Sequence, residues 1–159
     1  MATRAVDKTT TAISSALLAA ARVMTQVRVH DMLCRQAGVD LDRSGATLLY
    51  KLHTEGDNVR LTDLAERLGV DAPAVTRKVQ QLERQGLIVR SVDPGDGRAF
   101  RLQLTHEGRG TIERLLVARQ RWLEERLEGW SRADRDEFAR LLQQFASTLE
   151  LQGEARLGR

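Results

Sequence analysis

Basic side chains are concentrated in one stretch of this sequence, residues 72–101. The whole chain of 159 residues carries 25 Lys and Arg against 22 Asp and Glu, a formal net charge of only +3. Within the stretch, six basic residues face three acidic ones. The basic residues are Arg77, Lys78, Arg84, Arg90, Arg98 and Arg101, and the acidic ones are Glu83, Asp93 and Asp96. Because neutralisation of phosphates supplies much of a protein's affinity for DNA, this stretch has the charge that a DNA-contacting element needs.

Residue types capable of catalysis or metal binding do not form a usable pattern. The three histidines, His30, His53 and His106, stand at no metal-ligand spacing from Cys34 or from a carboxylate pair. No glycine-rich phosphate loop follows a strand pattern. We therefore predict a protein that is not an enzyme and has no metal site and no cofactor.

Length and composition limit the class of protein further. A chain of this size buries about one core, and its abundance of Ala, Leu, Arg, Glu and Gln with only two Pro favours long helices. No apolar run approaches the roughly 20 residues of a membrane span, and we see no secretory signal. The single cysteine fits a reducing compartment. We expect a cytoplasmic protein with no membrane partner.

Two helix patterns follow one another closely within residues 61–86. In the first, Thr62 is the expected N-cap and Gly69 the C-terminal turn residue. Asp71 then suits the N-cap of a second helix, with Pro73 in its first turn, where a missing N–H is harmless. The apolar face of this second helix consists of Val75, Val79 and Leu82. Two short helices joined by a tight turn predict a helix-turn-helix.

A hairpin pattern follows directly. Residues 87–92 and 99–105 read as strands, and the loop 93–98 between them is rich in turn residues. On the second strand one face carries Phe100, Leu102 and Leu104, and the other carries Arg101 and Gln103. A hairpin with a charged tip after a helix-turn-helix indicates a wing.

Helices flank this winged unit. Residues 1–40 read as one amphipathic helix, 42–53 as a second, and the last fifty residues as a long helix followed by one that Ser131 caps. The fold class is therefore mainly α with a small β-hairpin wing. We divide it into an N-terminal helix at 1–40, a winged helix-turn-helix DNA-binding domain at 41–109 and C-terminal helices at 110–159. The terminal helices hold apolar side chains that so small a domain cannot all cover, and a two-fold homodimer would bury them. They are Ile13, Leu17, Trp122, Trp130, Phe138 and Phe145.

This order of motifs resembles the MarR (multiple antibiotic resistance regulator) family over about residues 10–150. The most specific part of the resemblance is the wing loop Asp93–Arg98 followed by the run Leu102–Gly108. The resemblance implies a bacterial, dimeric transcription regulator, usually a repressor, that binds a pseudo-palindromic operator in double-stranded DNA. It also implies release of the DNA when a small ligand or an oxidant is sensed.

The resemblance also implies roles for individual residues. The helix over residues 72–85 would be the recognition helix, and the wing would reach a minor groove. The DNA-contacting candidates are Ala74, Thr76, Arg77 and Gln80 on that helix and Arg98 and Arg101 on the wing. Arg77 could bind a guanine edge or only a phosphate. Arg98 could instead brace Asp96, and Gly95 replaces an arginine of the family's wing motif, for which Arg101 is a partial substitute.

An effector cleft is implied between the first two helices, the long C-terminal helix and the base of the wing. Its polar candidates here are His30, Arg43, Tyr50 and His53. An arginine among apolar walls would suit a small aromatic acid or an amphiphile. Two alternatives stay open: a redox-sensing regulator that acts through Cys34, and a winged helix that binds proteins without DNA specificity.

Overall fold

The structure is a computed structural model of the chain and describes residues 7–56, 58–69 and 71–157. Seven helices and three strands follow one another in this described part. They are α1 (Lys8–Met24), α2 (Val27–Ala37), α3 (Arg43–Glu55), β1 (Val59–Arg60), α4 (Leu61–Leu68), α5 (Ala72–Arg84), β2 (Ile88–Asp93), β3 (Asp96–Leu104), α6 (His106–Arg126) and α7 (Arg132–Leu157). The predicted fold class, mainly helical with a small β-hairpin wing, is confirmed.

The chain divides into two compact units. The first unit extends through Arg119 and contains the helix-turn-helix and the sheet. The second begins at Gln120 and contains the end of α6 and all of α7. Among the helices of the described part, none is long and apolar enough to cross a membrane.

The N-terminal region is two helices, so the prediction of one helix over residues 1–40 was wrong. The helix is interrupted at Thr25 and Gln26. The Thr25 hydroxyl donates to the carbonyl of Ala21 at 2.7 Å, and the backbone of Gln26 is extended. A threonine hydroxyl that bonds the helix backbone competes with continued helix, although neither Gly nor Pro marks the break. Helix α2 ends at Ala37 and Gly38 caps it in the left-handed conformation, close to the predicted end of the region at residue 40.

Helix α4 begins two residues earlier than a Thr62 cap requires, so that prediction was also wrong. Arg60 is the N-cap residue and makes no side-chain capping bond, which places Thr62 inside the first turn. The reason is the short strand β1, which holds the chain extended up to Arg60. The other boundary is as predicted, with Gly69 in the left-handed conformation at the C-cap.

The sheet has the order β1-β3-β2, with both pairings antiparallel. Strand β1 has two residues, too few for a sequence pattern, and was not predicted. The wing turn is also shorter than the predicted loop 93–98, because Asp93 pairs with Asp96 across Pro94 and Gly95, and the register of the two strands shifts between Val92 and Asp93. Along β3, Leu102 and Leu104 are buried as predicted, whereas Phe100 is 40% exposed because it lies towards the hairpin tip.

The core of the first unit lies where α3, α4 and α5 meet the sheet. Its most deeply buried side chains are Leu48, Leu49, Leu52, Leu64, Val79, Leu82, Ile88 and Leu102. Helix α6 begins in very close contact with the chain before β2. A Cβ built on Gly108 would lie 1.9 Å from the carbonyl oxygen of Leu87, so that only glycine fits at this crossing.

The second unit is held locally by its helix cap and by ring contacts. The hydroxyl of Ser131 accepts from the Asp134 amide at 3.1 Å and donates to the Asp134 carboxylate at 2.6 Å, as the sequence predicts. The Trp130 and Phe138 ring centroids are 5.5 Å apart. Most of the apolar side chains of α7 are nevertheless exposed in a single chain, namely Phe138, Leu141, Leu142, Phe145 and Leu149.

Candidate nucleic-acid interface and ligand cavity

Helix α5 is anchored by one face and open on the other. Asp71 caps it, with a carboxylate oxygen that accepts from the Ala74 amide at 3.2 Å, and Pro73 lies in its first turn, both as predicted. The buried face is the predicted one, Val75, Val79 and Leu82. Arg77 and Gln80 are exposed on the outer face. A short helix held this way can present polar side chains to a groove of DNA without moving its own core.

The remaining candidates on α5 are less accessible. Ala74 and Thr76 are half-buried, and the Thr76 hydroxyl donates to the Ala72 carbonyl at 2.8 Å. A hydroxyl that donates within its own helix still has lone pairs that accept from a partner. Of the four candidates on this helix, Arg77 and Gln80 therefore have the greatest reach.

Lys78 joins the candidate recognition helix, α5, to the start of α3. Lys78 Nζ donates to Asp42 Oδ2 at 2.5 Å and to Gln81 Oε1 at 2.7 Å. Asp42 is the N-cap of α3, since its Oδ1 accepts from the Gly45 amide at 2.8 Å. Burial disfavours the ionised form of Asp42, but the hydrogen bonds from Lys78, Gly45 and Ser44 outweigh it and lower the pKa of this carboxyl. One carboxylate thus joins the start of α3 to α5.

A buried carboxylate, that of Asp93, holds the turn of the wing. The Asp93 side chain is 1% exposed, and its Oδ2 accepts from Arg60 Nε at 2.8 Å and from Arg101 Nε at 2.7 Å. Its Oδ1 accepts from the Gly95 amide at 2.8 Å. The hydrogen bond from Arg60, followed by that from Gly95, holds the pKa of Asp93 far below its usual range despite the burial. The ionised carboxylate therefore fixes the hairpin turn to β1 and β3.

A second contact joins the wing to α5. Arg90 of β2 donates to Glu83 at 2.8 Å, and its guanidinium lies 5.3 Å from the centre of the Phe100 ring. Arg90 and Glu83 were both counted in the basic stretch, and here they neutralise each other. This pairing leaves the excess of three positive charges unchanged, five basic residues against two acidic ones, but fewer side chains supply it.

A cavity of about 310 Å³ lies within the first unit, away from the helix-turn-helix. Its walls come from α2, α3 and α6 and from the end of α1. The polar lining residues are Thr25, His30, Arg43, Thr47, Tyr50 and Arg119, and the apolar ones are Met24, Leu33, Ala46, Ile112, Leu115 and Leu116. Two guanidinium groups among apolar walls would suit a small ligand that has an anionic group and an apolar body.

Comparisons with known proteins agree with this architecture. The pattern of the MarR family matches residues 41–100, which hold the helix-turn-helix and most of the wing. The Bacillus subtilis HTH-type transcriptional regulator YxaD is 33% identical over 104 residues, which cover 65% of this chain and 72% of YxaD. The chain belongs to the MarR family.

A second relative resembles the chain over a shorter length. The Bacillus subtilis HTH-type transcriptional regulator YdgJ is 35% identical over 89 residues, 56% of this chain and 52% of YdgJ. The chain thus spans about half the length of YdgJ and nearly three-quarters of YxaD.

Solved structures share the fold over most of the chain. A MarR family protein from Bacillus stearothermophilus has a TM-score of 0.77 at 24% identity, covering 92% of this chain and 99% of that one. The PcaV transcriptional regulator from Streptomyces coelicolor, solved in complex with its natural ligand, has a TM-score of 0.55 at 26% identity. The PcaV match covers 80% of this chain and 89% of that one.

The predicted site residues of this MarR-family chain separate into groups. His30, Arg43 and Tyr50 line one cavity, whereas His53 is not among its lining residues, and its buried Nδ1 has no hydrogen-bond partner among the residues that the structure describes. On the wing, Arg101 is engaged by Asp93, and the side chain of Arg98 lies outside the part of the structure that is described.

Sequence reasoning missed two arginines. Arg119 lies three and four residues after the cavity-lining residues Leu116 and Leu115, so the helical period of α6 could have placed it at the cavity. Arg60 precedes α4 and reaches Asp93 across 33 positions of sequence. No local pattern signals the Arg60 contact, because β1 exists only through its pairing with β3.

Cys34 lies in surroundings that disfavour its thiolate. It is buried, its Sγ donates to the Leu41 carbonyl at 3.4 Å, and His30 Nε2 lies 3.4 Å from the same sulfur. Burial is the main cause that raises the pKa of this thiol, and the nearby carboxylate of Asp31 raises it further. A thiolate is the species that reacts with oxidants, so a high pKa opposes oxidant sensing at this position.

Proposed function

We propose that this chain is a sequence-specific, double-stranded-DNA-binding transcription regulator and not an enzyme. The observation that carries the proposal is helix α5, with its apolar face buried and Arg77 and Gln80 exposed on the opposite face. The names of YxaD and YdgJ, both HTH-type transcriptional regulators, support it. Arg77 and Gln80, with Ala74 and Thr76 beside them, would meet base edges in a major groove. Arg98 remains the proposed minor-groove contact.

The working unit in this proposal is a homodimer on a pseudo-palindromic operator. A single chain leaves large apolar side chains exposed on α1 and, separately, on α7. On α1 they are Ile13, Leu17, Leu18, Val23 and Met24. We take large apolar side chains exposed in this number as the mark of an interaction site. Two-fold pairing would set two recognition helices about one DNA turn apart, roughly 34 Å.

We further propose repression that a small aromatic acid or amphiphile relieves. The cavity that holds His30, Arg43 and Tyr50 offers two arginines, Arg43 and Arg119, to an anionic group and apolar walls to the rest of such a ligand. PcaV, solved in complex with its natural ligand, supports a ligand-responsive function in a protein of this fold. Cys34 plays no part in this proposal.

The DNA part of the proposal is tested by operator selection and affinity. Duplexes enriched from a random library by the purified protein should share a pseudo-palindrome, and binding is then measured on that sequence by mobility shift. If Arg77 contacts a base, Arg77→Ala should cost about 1–3 kcal/mol of binding free energy, which is about 10-fold or more in affinity. Arg98→Ala should also weaken binding. Glu124→Ala, an exposed change of the second unit, is the control and should bind as wild type.

Salt dependence separates this proposal from a protein-interaction winged helix. Several phosphate contacts make affinity fall steeply between low and physiological salt, whereas an apolar protein interface does not. Selection without any enriched sequence, together with weak salt-insensitive retention of DNA, would favour the protein-interaction module. Unaltered operator binding by both arginine variants would remove the assigned contacts.

The ligand part is tested by a thermal-shift screen of aromatic carboxylates. A compound that raises the Tm of wild-type protein should lose its effect in Arg43→Met and in Arg119→Met, since each removes one cation from the cavity. The same compound should weaken operator binding by wild type. Stabilisation that persists in both variants would place the ligand elsewhere.

A further inference from the structure

Two arginines on neighbouring strands share one buried carboxylate beside the wing turn. Arg60 of β1 stands directly opposite Arg101 of β3 in the sheet. Like charges in this position normally destabilise a sheet. Here the Asp93 carboxylate accepts a hydrogen bond from the Nε of each, at 2.8 and 2.7 Å. Two cations and one anion leave this cluster with a net positive charge.

The two guanidinium groups differ in what their outer nitrogens contact. Arg101 Nη1 donates to the Asn58 carbonyl at 3.1 Å, so Arg101 is held at two points. Of the residues that the structure describes, only Asp93 accepts from the Arg60 side chain, which is 41% exposed. Arg60 Nη2 lies 4.0 Å from the position that a Cβ would take on Gly95. The outer edge of Arg60 thus lies next to a turn residue that has no side chain.

This geometry suits one phosphate group. A guanidinium held through Nε keeps its two amino groups as a planar fork, which matches two phosphate oxygens and loses little further freedom on binding. The absence of a side chain at Gly95 leaves room for a sugar-phosphate backbone. The hydrogen bond from Asp93 raises the pKa of Arg60, and Asp63 and Asp96 add to that rise. Because those two carboxylates also oppose an approaching anion, the site suits a single contact rather than an anion-binding pocket.

We propose that Arg60 binds a backbone phosphate of double-stranded DNA beside the wing, with Arg101 and Asp93 holding it in position. The proposal rests on the DNA-binding function proposed above. It assigns this phosphate contact to β1, a strand outside the hairpin itself. Arg101, which the family resemblance suggests as a DNA contact on the wing, becomes a positioning residue.

The slope of affinity against salt concentration tests the assignment. Binding of a short fluorescein-labelled duplex of random sequence is measured by anisotropy over a series of salt concentrations. Loss of one phosphate contact in Arg60→Met should reduce the slope of log K against log salt by about 0.9. Arg114→Met is the matched control, because Arg114 is also exposed and paired to one carboxylate, that of Glu107, but lies on α6. Its slope should equal that of wild type.

Each outcome decides a different question. A wild type that binds no duplex refutes the proposed DNA function and this inference with it. A wild type that binds while Arg60→Met keeps the wild-type slope refutes the Arg60 contact alone. A slope reduced in Arg101→Met but not in Arg60→Met assigns the phosphate to Arg101 and also overturns the inference.

Chemical modification of the wild-type protein gives a second measurement that needs no variant to fold. Phenylglyoxal modifies accessible arginines, and mass spectrometry locates the modified positions. The random duplex should protect Arg60 several-fold while modification of Arg114 stays unchanged. Equal modification of Arg60 with and without DNA would refute the contact.

Discussion

Asp42 and Lys78, 36 positions apart in the sequence, form an ion pair of 2.5 Å that joins the N-cap of α3 to the middle of α5. The next residue, Arg43, lines the cavity and donates to the Thr25 carbonyl at the end of α1. Two adjacent residues at the start of α3 therefore contact the recognition-helix candidate on one side and the cavity on the other.

We predict that the Asp42–Lys78 pair positions α5. Asp42→Asn keeps an N-cap for α3 but removes the charge, and Lys78→Met keeps the apolar stem, so the two form a clean double-mutant cycle in urea unfolding. The coupling should be about 0.5–1 kcal/mol, since Asp42 is 53% exposed. Operator affinity should fall in both single variants. Additive losses of stability, with no coupling, would contradict the prediction.

The stability that Asp93 provides should persist to unusually low pH. Because the folded-state pKa of Asp93 is lowered, its contribution is complete above the ordinary aspartate value of about 4 and disappears only as the pH falls through the lower folded-state value. The Tm difference between wild type and Asp93→Asn should be the same at pH 7 and pH 5 and should shrink at pH 2. A difference that is already lost at pH 5 would show that the carboxylate is not held ionised.

Gly108→Ala should destabilise the protein although it places a better helix former in α6. The new methyl group would lie 1.9 Å from the Leu87 carbonyl oxygen, which is backbone and cannot turn away. We expect a loss of about 3 kcal/mol and a Tm lower by about 6–12 °C.

The control for Gly108 is Gly110→Ala in the same helix. The nearest atom to its added Cβ is Arg114 Nη1 at 3.4 Å, the end of a flexible side chain. Gly110→Ala should therefore gain up to about 1 kcal/mol from helix propensity. Equal Tm values for the two variants would refute the steric reason given for Gly108.

The oligomeric state should depend on the apolar residues of α1 and α7. Sedimentation of wild-type protein should give about twice the chain mass of 17.8 kDa. Leu18→Glu and Leu142→Glu, at positions 70% and 44% exposed in one chain, should each shift the protein towards monomer without unfolding it. Gln143→Glu adds the same charge at an exposed polar position of α7 and should leave the mass unchanged. A wild type that sediments as a monomer would refute the proposed dimer.

Peroxide should not regulate this protein through Cys34. Its burial and raised pKa keep the thiol protonated at neutral pH, and Cys34→Ser should bind the operator as wild type does with or without peroxide. Mass spectrometry should find neither sulfenic acid nor a disulfide after treatment. Oxidation of Cys34 accompanied by loss of DNA binding in wild type, and by no loss in Cys34→Ser, would restore the redox alternative.

Local signals in the sequence were sufficient for the helix-turn-helix and for most of its boundaries. Asp71, Pro73 and Gly69 act on backbone atoms within three residues of themselves, and the spacing of Val75, Val79 and Leu82 follows from the helical period alone. Such features do not depend on the rest of the chain, so they were predicted correctly. The wing was predicted for the same reason, apart from the length of its turn.

Tertiary structure decided what lies between these elements. Strand β1 exists only because β3 supplies its hydrogen bonds, and its two residues carry no period that a sequence can display. The pairs Arg60–Asp93 and Lys78–Asp42 join side chains more than thirty positions apart, and the sequence shows only that these residues are charged. Which arginine is neutralised inside the protein and which stays exposed depends on distances of a few ångströms between charges. The sequence by itself determined the kind of protein, and only the packing decided which of its cations are paired with carboxylates and which stay exposed.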